Sequence, residues 1–178
     1  MTKDVRADVD LVEGEGLAAV ASLWRKTGRE LRARFGGSSM EPALPAGTEI
    51  LLRCGETGAP GDVIAFLAGG RLVVHRVMAR APDGAWTLTR GDARVLPDAP
   101  ILDPDAILGR VAGLWRAGSL DRVPAAADSL SRRWVLAVAR AVLRVSPRAG
   151  AAGLRSAHSL GRLARSVALV FGRQRPTH

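Results

Sequence analysis

The chain has 178 residues, 47% of them hydrophobic and 4% aromatic, and this length suits one domain with a real core plus a small appendage. Its single cysteine, Cys54, excludes a disulfide framework within the chain. The apolar runs are far shorter than the roughly 20 residues of a membrane-spanning helix, and the acidic stretch 1–16 is unlike a signal peptide. We therefore predict a cytoplasmic protein that is soluble or peripheral at a membrane.

The net charge of +9 is concentrated at one end of the chain. Residues 129–178 contain ten arginines and no acidic residue, so this tail carries +10 and residues 1–128 carry 9 − 10 = −1. A cationic tail on a near-neutral body indicates an acidic partner, such as anionic lipid, nucleic acid or an acidic protein. A solvated arginine face without any partner explains the composition equally well.

The first part of the chain, 1–34, is predicted to be a loose leader followed by a helix. From Gly16 to about Arg34, apolar residues recur at helical spacing and charged residues occupy the other side. Such a helix is too short and too charged to cross a bilayer.

Residues 35–117 are predicted to form a mainly β domain. Short apolar runs alternate there with Gly, Pro and Asp turns, and Ala68-Gly69-Gly70 is a hairpin signal. The predicted strands are 49–53, 62–67, 71–78, 86–90 and 107–115. The segment 92–105, which contains three prolines, is predicted to be a loop.

The last part, 118–178, is predicted to be a linker followed by two amphipathic helices at roughly 129–145 and 153–172. Arginines line one side of each helix and apolar residues line the opposite side. We expect the two helices to pair as an arginine-rich hairpin through their apolar faces.

The first motif that can carry chemistry is Gly37-Ser38-Ser39-Met40-Glu41-Pro42. A serine hydroxyl needs an adjacent base to become a nucleophile, and it needs donors aimed at the developing oxyanion. The glycines before Ser39 allow a substrate strand to approach, and Pro42 fixes the chain after it. A plain turn before a strand would have a similar composition.

A histidine and two aspartates complete the set of candidates. His75 is the only histidine of the predicted β domain, and imidazole is the side chain best suited to act as a base near neutral pH. Asp92, in Thr89-Arg90-Gly91-Asp92, and Asp98 lie six residues apart in one loop. Either carboxylate is placed to hold the imidazole's tautomer. The alternative is a structural strand histidine with aspartates that cap turns.

The order and spacing of these motifs resemble the type I signal peptidases, as does the run Gly61-Asp62-Val63-Ile64-Ala65-Phe66 before the histidine strand. His75 stands where the main bacterial branch has lysine, which matches the branch found in the endoplasmic reticulum, in archaea and in some sporulating bacteria. The resemblance covers about residues 35–114. It implies a coiled antiparallel β fold that is shared with self-cleaving SOS repressors such as LexA. Those repressors use a serine and a lysine, and 35–117 contains no lysine, which disfavours a repressor.

The resemblance implies a role for each matching position. Ser39 would attack the scissile carbonyl, and His75 would take its proton and later protonate the leaving amine. Asp98 would be the third catalytic residue, and Asp92 would support the site. The oxyanion and substrate-binding positions would be Gly37, Ser38, Met40 and Pro42. Some relatives have an oxyanion-stabilising serine where Gly37 stands. Since glycine has no side chain, the donor here would be a backbone N–H, with Ser38 as a less favoured helper.

The sequence is compatible with three functions. A serine endopeptidase would cut an extended peptide, such as a leader or signal-like segment, after small residues. A catalytically inactive domain of the same fold would bind such a peptide without cutting it. Nucleic-acid binding is the least favoured, because the tail has two aromatics and no groove-reading motif, and the tail would more readily hold the protein on an anionic membrane. No cofactor and no metal is expected, since Cys54, His75 and the aspartates lack ligand spacing.

Overall fold

The computed structural model describes residues 22–116, 118–126, 130–146, 148 and 152. Within these ranges the chain forms one antiparallel sheet of 7 strands, two α-helical segments and a 3-10 helix at Pro104–Ala106, so the predicted mainly β fold is confirmed. The strands are β1 (Glu30–Phe35), β2 (Thr48–Cys54), β3 (Val63–Ala68), β4 (Arg71–Arg80), β5 (Thr87–Arg90), β6 (Ile107–Arg116) and β7 (Ser119–Asp121). The α-helical segments are α1 (22–27) and α2 (Leu130–Val145).

The strands lie in the order β1-β2-β6-β3-β4-β5, and β7 pairs with β6. Register shifts interrupt three of the strand pairs, between β2 and β6, between β3 and β6, and between β4 and β5. Such irregularities bend strands and increase their twist. The sheet therefore curves, which brings residues from separate strands around one core.

The predicted hairpin between β3 and β4 is confirmed. Ala68 pairs with Arg71, so the connection has two residues, Gly69 and Gly70, with φ of 58° and 74°. Two positive φ angles in a two-residue loop are the geometry of a type I′ turn, which glycine adopts without strain.

The predicted N-terminal helix is wrong in its second half. Helical structure ends at residue 27, Gly28 has a φ of 58°, and the chain then enters β1. In β1 the side chains of Leu31, Ala33 and Phe35 are buried and alternate with more exposed ones, which is the period of a strand. The sheet therefore begins at Glu30 and ends with β7, beyond the predicted domain bounds of 35 and 117 on both sides.

The main core lies between β1, β2, β3 and β6. A second cluster forms where α2 packs against the end of β4 and the start of β5. There Ala139 and Leu143 of the helix are buried against Trp86 and Leu88. Arg140 also donates a hydrogen bond to the carbonyl oxygen of Met78. α2 therefore packs on the sheet through Ala139 and Leu143, whereas Val138, Val142 and Val145 are exposed.

The predicted helix at 153–172 and most of the cationic tail lie outside the described residues. The expected pairing of two tail helices, and a contact between the tail and a membrane, stay predictions. Across the described ranges, no helix has both the length and the apolar character needed to span a bilayer.

Candidate active site

Three of the predicted residues, which come from three separate segments, meet at one point of the sheet. Ser39 lies in the turn that follows β1, His75 lies in the middle of β4, and Asp98 lies in the loop after β5. The Ser39 Oγ is 2.9 Å from His75 Nε2, and His75 Nδ1 is 2.6 Å from Asp98 Oδ2. With Nδ1–H donating to the carboxylate, Nε2 is free to accept the serine proton.

Asp98 is held in place by Thr89 of β5. The backbone N–H of Asp98 donates to the carbonyl oxygen of Thr89 at 2.8 Å, and the Thr89 hydroxyl donates to Asp98 Oδ2 at 2.8 Å. The same carboxylate oxygen thus accepts from both His75 and Thr89. Thr89 is not among the predicted site residues, because a threonine in a strand carries no signal that its hydroxyl points at a carboxylate.

His75 is largely shielded from solvent. The residue is 8% exposed, and its ring meets Phe66 edge to face, with the ring centroids 6.2 Å apart. Packing of this kind limits the rotation of the imidazole. The Ser39 and Asp98 hydrogen bonds are stronger in such a partly dry setting than they would be in water.

Gly91 makes the approach of Ser39 to His75 possible. A Cβ at this position would lie 2.5 Å from the Ser39 carbonyl oxygen and 3.0 Å from His75 Nε2. The following turn holds Ser39 from the same side, since the N–H of Ala93 donates to the Ser39 carbonyl oxygen at 2.9 Å. Only glycine fits here, because there is no space for a Cβ atom between Gly91 and Ser39.

We expect Gly91→Ala to lower kcat by about 10²-fold, because a displacement of the nucleophile by about 1 Å is enough for such a loss. The measurement is peptide cleavage, corrected for the folded fraction determined by circular dichroism. The matched control is Ala93→Ser, in the same turn, where the side chain is exposed and added volume displaces nothing. Equal rates for Gly91→Ala and the wild type would show that the close approach is unimportant.

Asp92 belongs to a buried ion pair and does not contact His75 in the described structure. Its two carboxylate oxygens accept from Arg76 Nε at 3.0 Å and from Arg76 Nη2 at 2.7 Å. Arg76 also donates to the carbonyl oxygens of Gly61 and Pro124, each at 2.8 Å. This network ties β4 to the loop that begins at Gly91. Asp92 therefore occupies a supporting position, and Asp98 occupies the position next to the histidine.

Asp92→Ala should lower the free energy of unfolding by about 3–5 kcal/mol, because it leaves the Arg76 guanidinium buried without its counter-charge. The side chains of Arg76 and Asp92 are only 6% and 4% exposed, so water cannot replace the lost partner. Urea unfolding measures the change. The exposed pair of Glu30 and Arg53 is the control, and Glu30→Ala should lower the free energy of unfolding by less than about 1 kcal/mol. Equal costs at the two sites would contradict the structural role of Asp92.

The four positions predicted for oxyanion stabilisation or substrate binding divide into two groups. Gly37 and Ser38 are exposed and line the cleft beside Ser39. Met40 is fully buried in the main core, and Pro42, although exposed, does not line the cleft. The side chain of Met40 therefore lies away from the cleft, and a contact of its backbone with substrate stays a prediction. By packing into the core, the Met40 side chain fixes the turn that contains Ser39.

The cleft beside the serine has a volume of about 560 Å³. The end of β1, the turn 36–39 and the first half of β4 form its walls, and Ala33, Ile50 and Leu52 contribute apolar surface. Arginines at positions 34, 71 and 94 also line it, which the sequence did not indicate. Among the described residues, no group of histidine, cysteine or acidic side chains is arranged to hold a metal ion.

Cys54 is not a candidate nucleophile. It lies in the main core, and burial raises the pKa of its thiol to about 11. The group is therefore protonated at neutral pH, whereas the thiolate is the reactive form.

Iodoacetamide at pH 8 should leave Cys54 unmodified in the folded protein and should alkylate it in urea, as read by intact mass. Cys54→Ala should retain peptide cleavage per folded molecule. Rapid alkylation of the folded protein, or loss of cleavage in this variant, would contradict the burial of an inert thiol.

No model of a known protein family matches this sequence, and no curated protein matches it significantly.

Proposed function

We propose that the protein is a serine endopeptidase in which Ser39 is the nucleophile, His75 the general base and Asp98 the residue that orients the base. The main support for this proposal is the continuous chain of hydrogen bonds from Ser39 Oγ through the imidazole to the Asp98 carboxylate. The resemblance of the motifs to type I signal peptidases agrees with it. Activated serines of this kind recur on unrelated folds and are recognised by geometry.

The chemistry follows from the positions of the protons. His75 Nε2 takes the hydroxyl proton as Ser39 Oγ attacks the peptide carbonyl, and the charge on the imidazolium is stabilised by Asp98. The Ser39 backbone N–H would serve as a donor to the oxyanion. When the peptide C–N bond breaks, the imidazolium protonates the leaving amine and an ester to Ser39 remains. Water, deprotonated by His75, then hydrolyses this ester and restores the serine.

Two unpaired strand edges favour an extended peptide as substrate. Residues 71–75 of β4 pair with β3 on one side only. Their other side has no strand partner in the described structure, because β5 pairs with β4 only from Arg76 onward. On the far side of the cleft, the outer edge of β1 has no strand partner among the described residues. Free edges accept an added strand through main-chain hydrogen bonds. A peptide lying along the cleft in this way would pass its carbonyl groups beside Ser39.

A library of unstructured peptides, incubated with the wild type and with the Ser39→Ala and His75→Ala variants, tests the proposal. We expect internal cuts by the wild type and none by either variant, read by mass spectrometry. Anionic vesicles are included in parallel, so that a tail that requires a membrane is engaged. Absence of cleavage under both conditions, together with peptide binding by the wild type, would replace the peptidase by a peptide-binding module.

A further inference from the structure

The cleft beside Ser39 is lined by charges of one sign. Arg34, Arg71 and Arg94 belong to its lining, and no Asp or Glu does so among the described residues. A cleft with a single sign of charge raises the local concentration of ligands of the opposite sign.

Two of these arginines have no counter-charge of their own. Arg34 lies 3.7 Å from Glu49, which offsets its charge. Arg71 and Arg94 are exposed, and within the described ranges neither side chain has a hydrogen bond or an ion pair. By contrast, four other arginines are paired with carboxylates. They are Arg25, Arg53, Arg76 and Arg110.

The two free arginines lie at different distances from the reacting serine. Arg94 follows Ala93, whose N–H is bonded to the Ser39 carbonyl oxygen, so Arg94 is beside the nucleophile. Arg71 and His75 lie on β4, and strand alternation places them on the same face, about 13 Å apart along the strand. In a peptide bound along this edge, the scissile bond would lie next to Arg94, and a residue about four positions from that bond would lie next to Arg71.

We infer that the cleft selects a peptide with two acidic side chains, one beside the scissile bond and one about four residues from it. This inference rests on the proposed function, whose substrate class it narrows. Guanidinium groups bind carboxylates through paired hydrogen bonds that neutral side chains cannot reproduce. At exposed sites each such pair favours the acidic peptide about 2- to 5-fold, and the preference falls as salt screens the charges.

The test compares two peptides, one with Glu at both positions and one with Gln. They are built on a library sequence that the wild type cuts or, if it cuts none, on one that it binds. At low salt we expect kcat/KM for the Glu peptide to exceed that for the Gln peptide by about tenfold, as the product of two such pairs. The ratio should fall to about one in the Arg71→Gln/Arg94→Gln double variant. Arg122→Gln removes the same type of charge from an exposed position outside the cleft and should leave the ratio unchanged.

A ratio near one in the wild type, or a preference that persists in the double variant, would overturn the inference. Binding of the same peptides to Ser39→Ala protein, followed by fluorescence anisotropy, separates this failure from failure of the proposed function. Preferential binding of the Glu peptide, lost on removal of both arginines, would support the acidic ligand even if the wild type cut nothing. Cleavage of both peptides at equal rates would leave the peptidase standing and reject the acidic preference.

Discussion

The Ser39→Ala variant should lose peptide cleavage by about 10⁴-fold or more in kcat, because it removes the atom that attacks the carbonyl. Residual turnover would come only from binding and from the oxyanion donors. His75→Ala should lose a comparable factor, since the hydroxyl that lies 2.9 Å from Nε2 would have no base.

The two substitutions should not be additive, because the serine and the histidine act as one unit. A Ser39→Ala/His75→Ala double variant is therefore expected to be no slower than the slower single variant. Ser38→Ala is the matched control, and its loss should fall far short of that of Ser39→Ala, since only the Ser39 hydroxyl contacts the imidazole in the described structure. Multiplicative losses, or a larger effect at Ser38, would contradict the assigned nucleophile and base.

Asp98→Ala should lower kcat by about 10³- to 10⁴-fold per folded molecule, because the imidazole loses the group that fixes its tautomer and stabilises its charged form. The reason lies in the 2.6 Å contact between His75 Nδ1 and Asp98 Oδ2. The loss of stability should be smaller than for Asp92→Ala, because the Asp98 side chain is 22% exposed and that of Asp92 is 4% exposed.

Asp92→Ala provides the matched comparison for Asp98→Ala. Because Asp92 contacts Arg76 and not the histidine, its removal should act mainly on folding, and molecules that remain folded should keep more activity than the Asp98 variant. The experiment measures cleavage and urea unfolding on both variants, so that each rate is divided by the folded fraction. The opposite ranking of rates per folded molecule would reassign the two aspartates.

The strands that flank the site were predictable because each has a local signal. Residues 63–68 and 71–80 are rich in β-branched and apolar side chains, and the two glycines between them specify the turn. The serine, the histidine and the aspartates could be chosen because their residue types suit the chemistry and their spacing resembles a known family. The position of the site on the sheet follows from these elements.

Other features depend on contacts that no local pattern encodes. The segment 30–35 has the alternation of a strand, but it follows residues at helical spacing without a break, and pairing of Glu30–Phe35 with Thr48–Arg53 of β2 fixes where β1 begins. The roles of Thr89 and Gly91 arise only where β5 and the turn after β1 meet. The six-residue spacing of Asp92 and Asp98 does not indicate which carboxylate faces the histidine, and the buried Arg76 decides it by engaging Asp92.

Trapping the acyl-enzyme identifies the residue that attacks the substrate. The protein would be mixed with the p-nitrophenyl ester of a short alanine-containing peptide. With this substrate the acyl-enzyme forms faster than it is hydrolysed, so it accumulates. Acid quenching during turnover and mass spectrometry of the digest then identify the acylated residue. We expect the acyl group on Ser39 of the wild type and no acyl group in His75→Ala protein quenched at the same time. Turnover with the acyl group on another side chain, or equally fast acylation of the His75→Ala variant, would contradict these roles of Ser39 and His75.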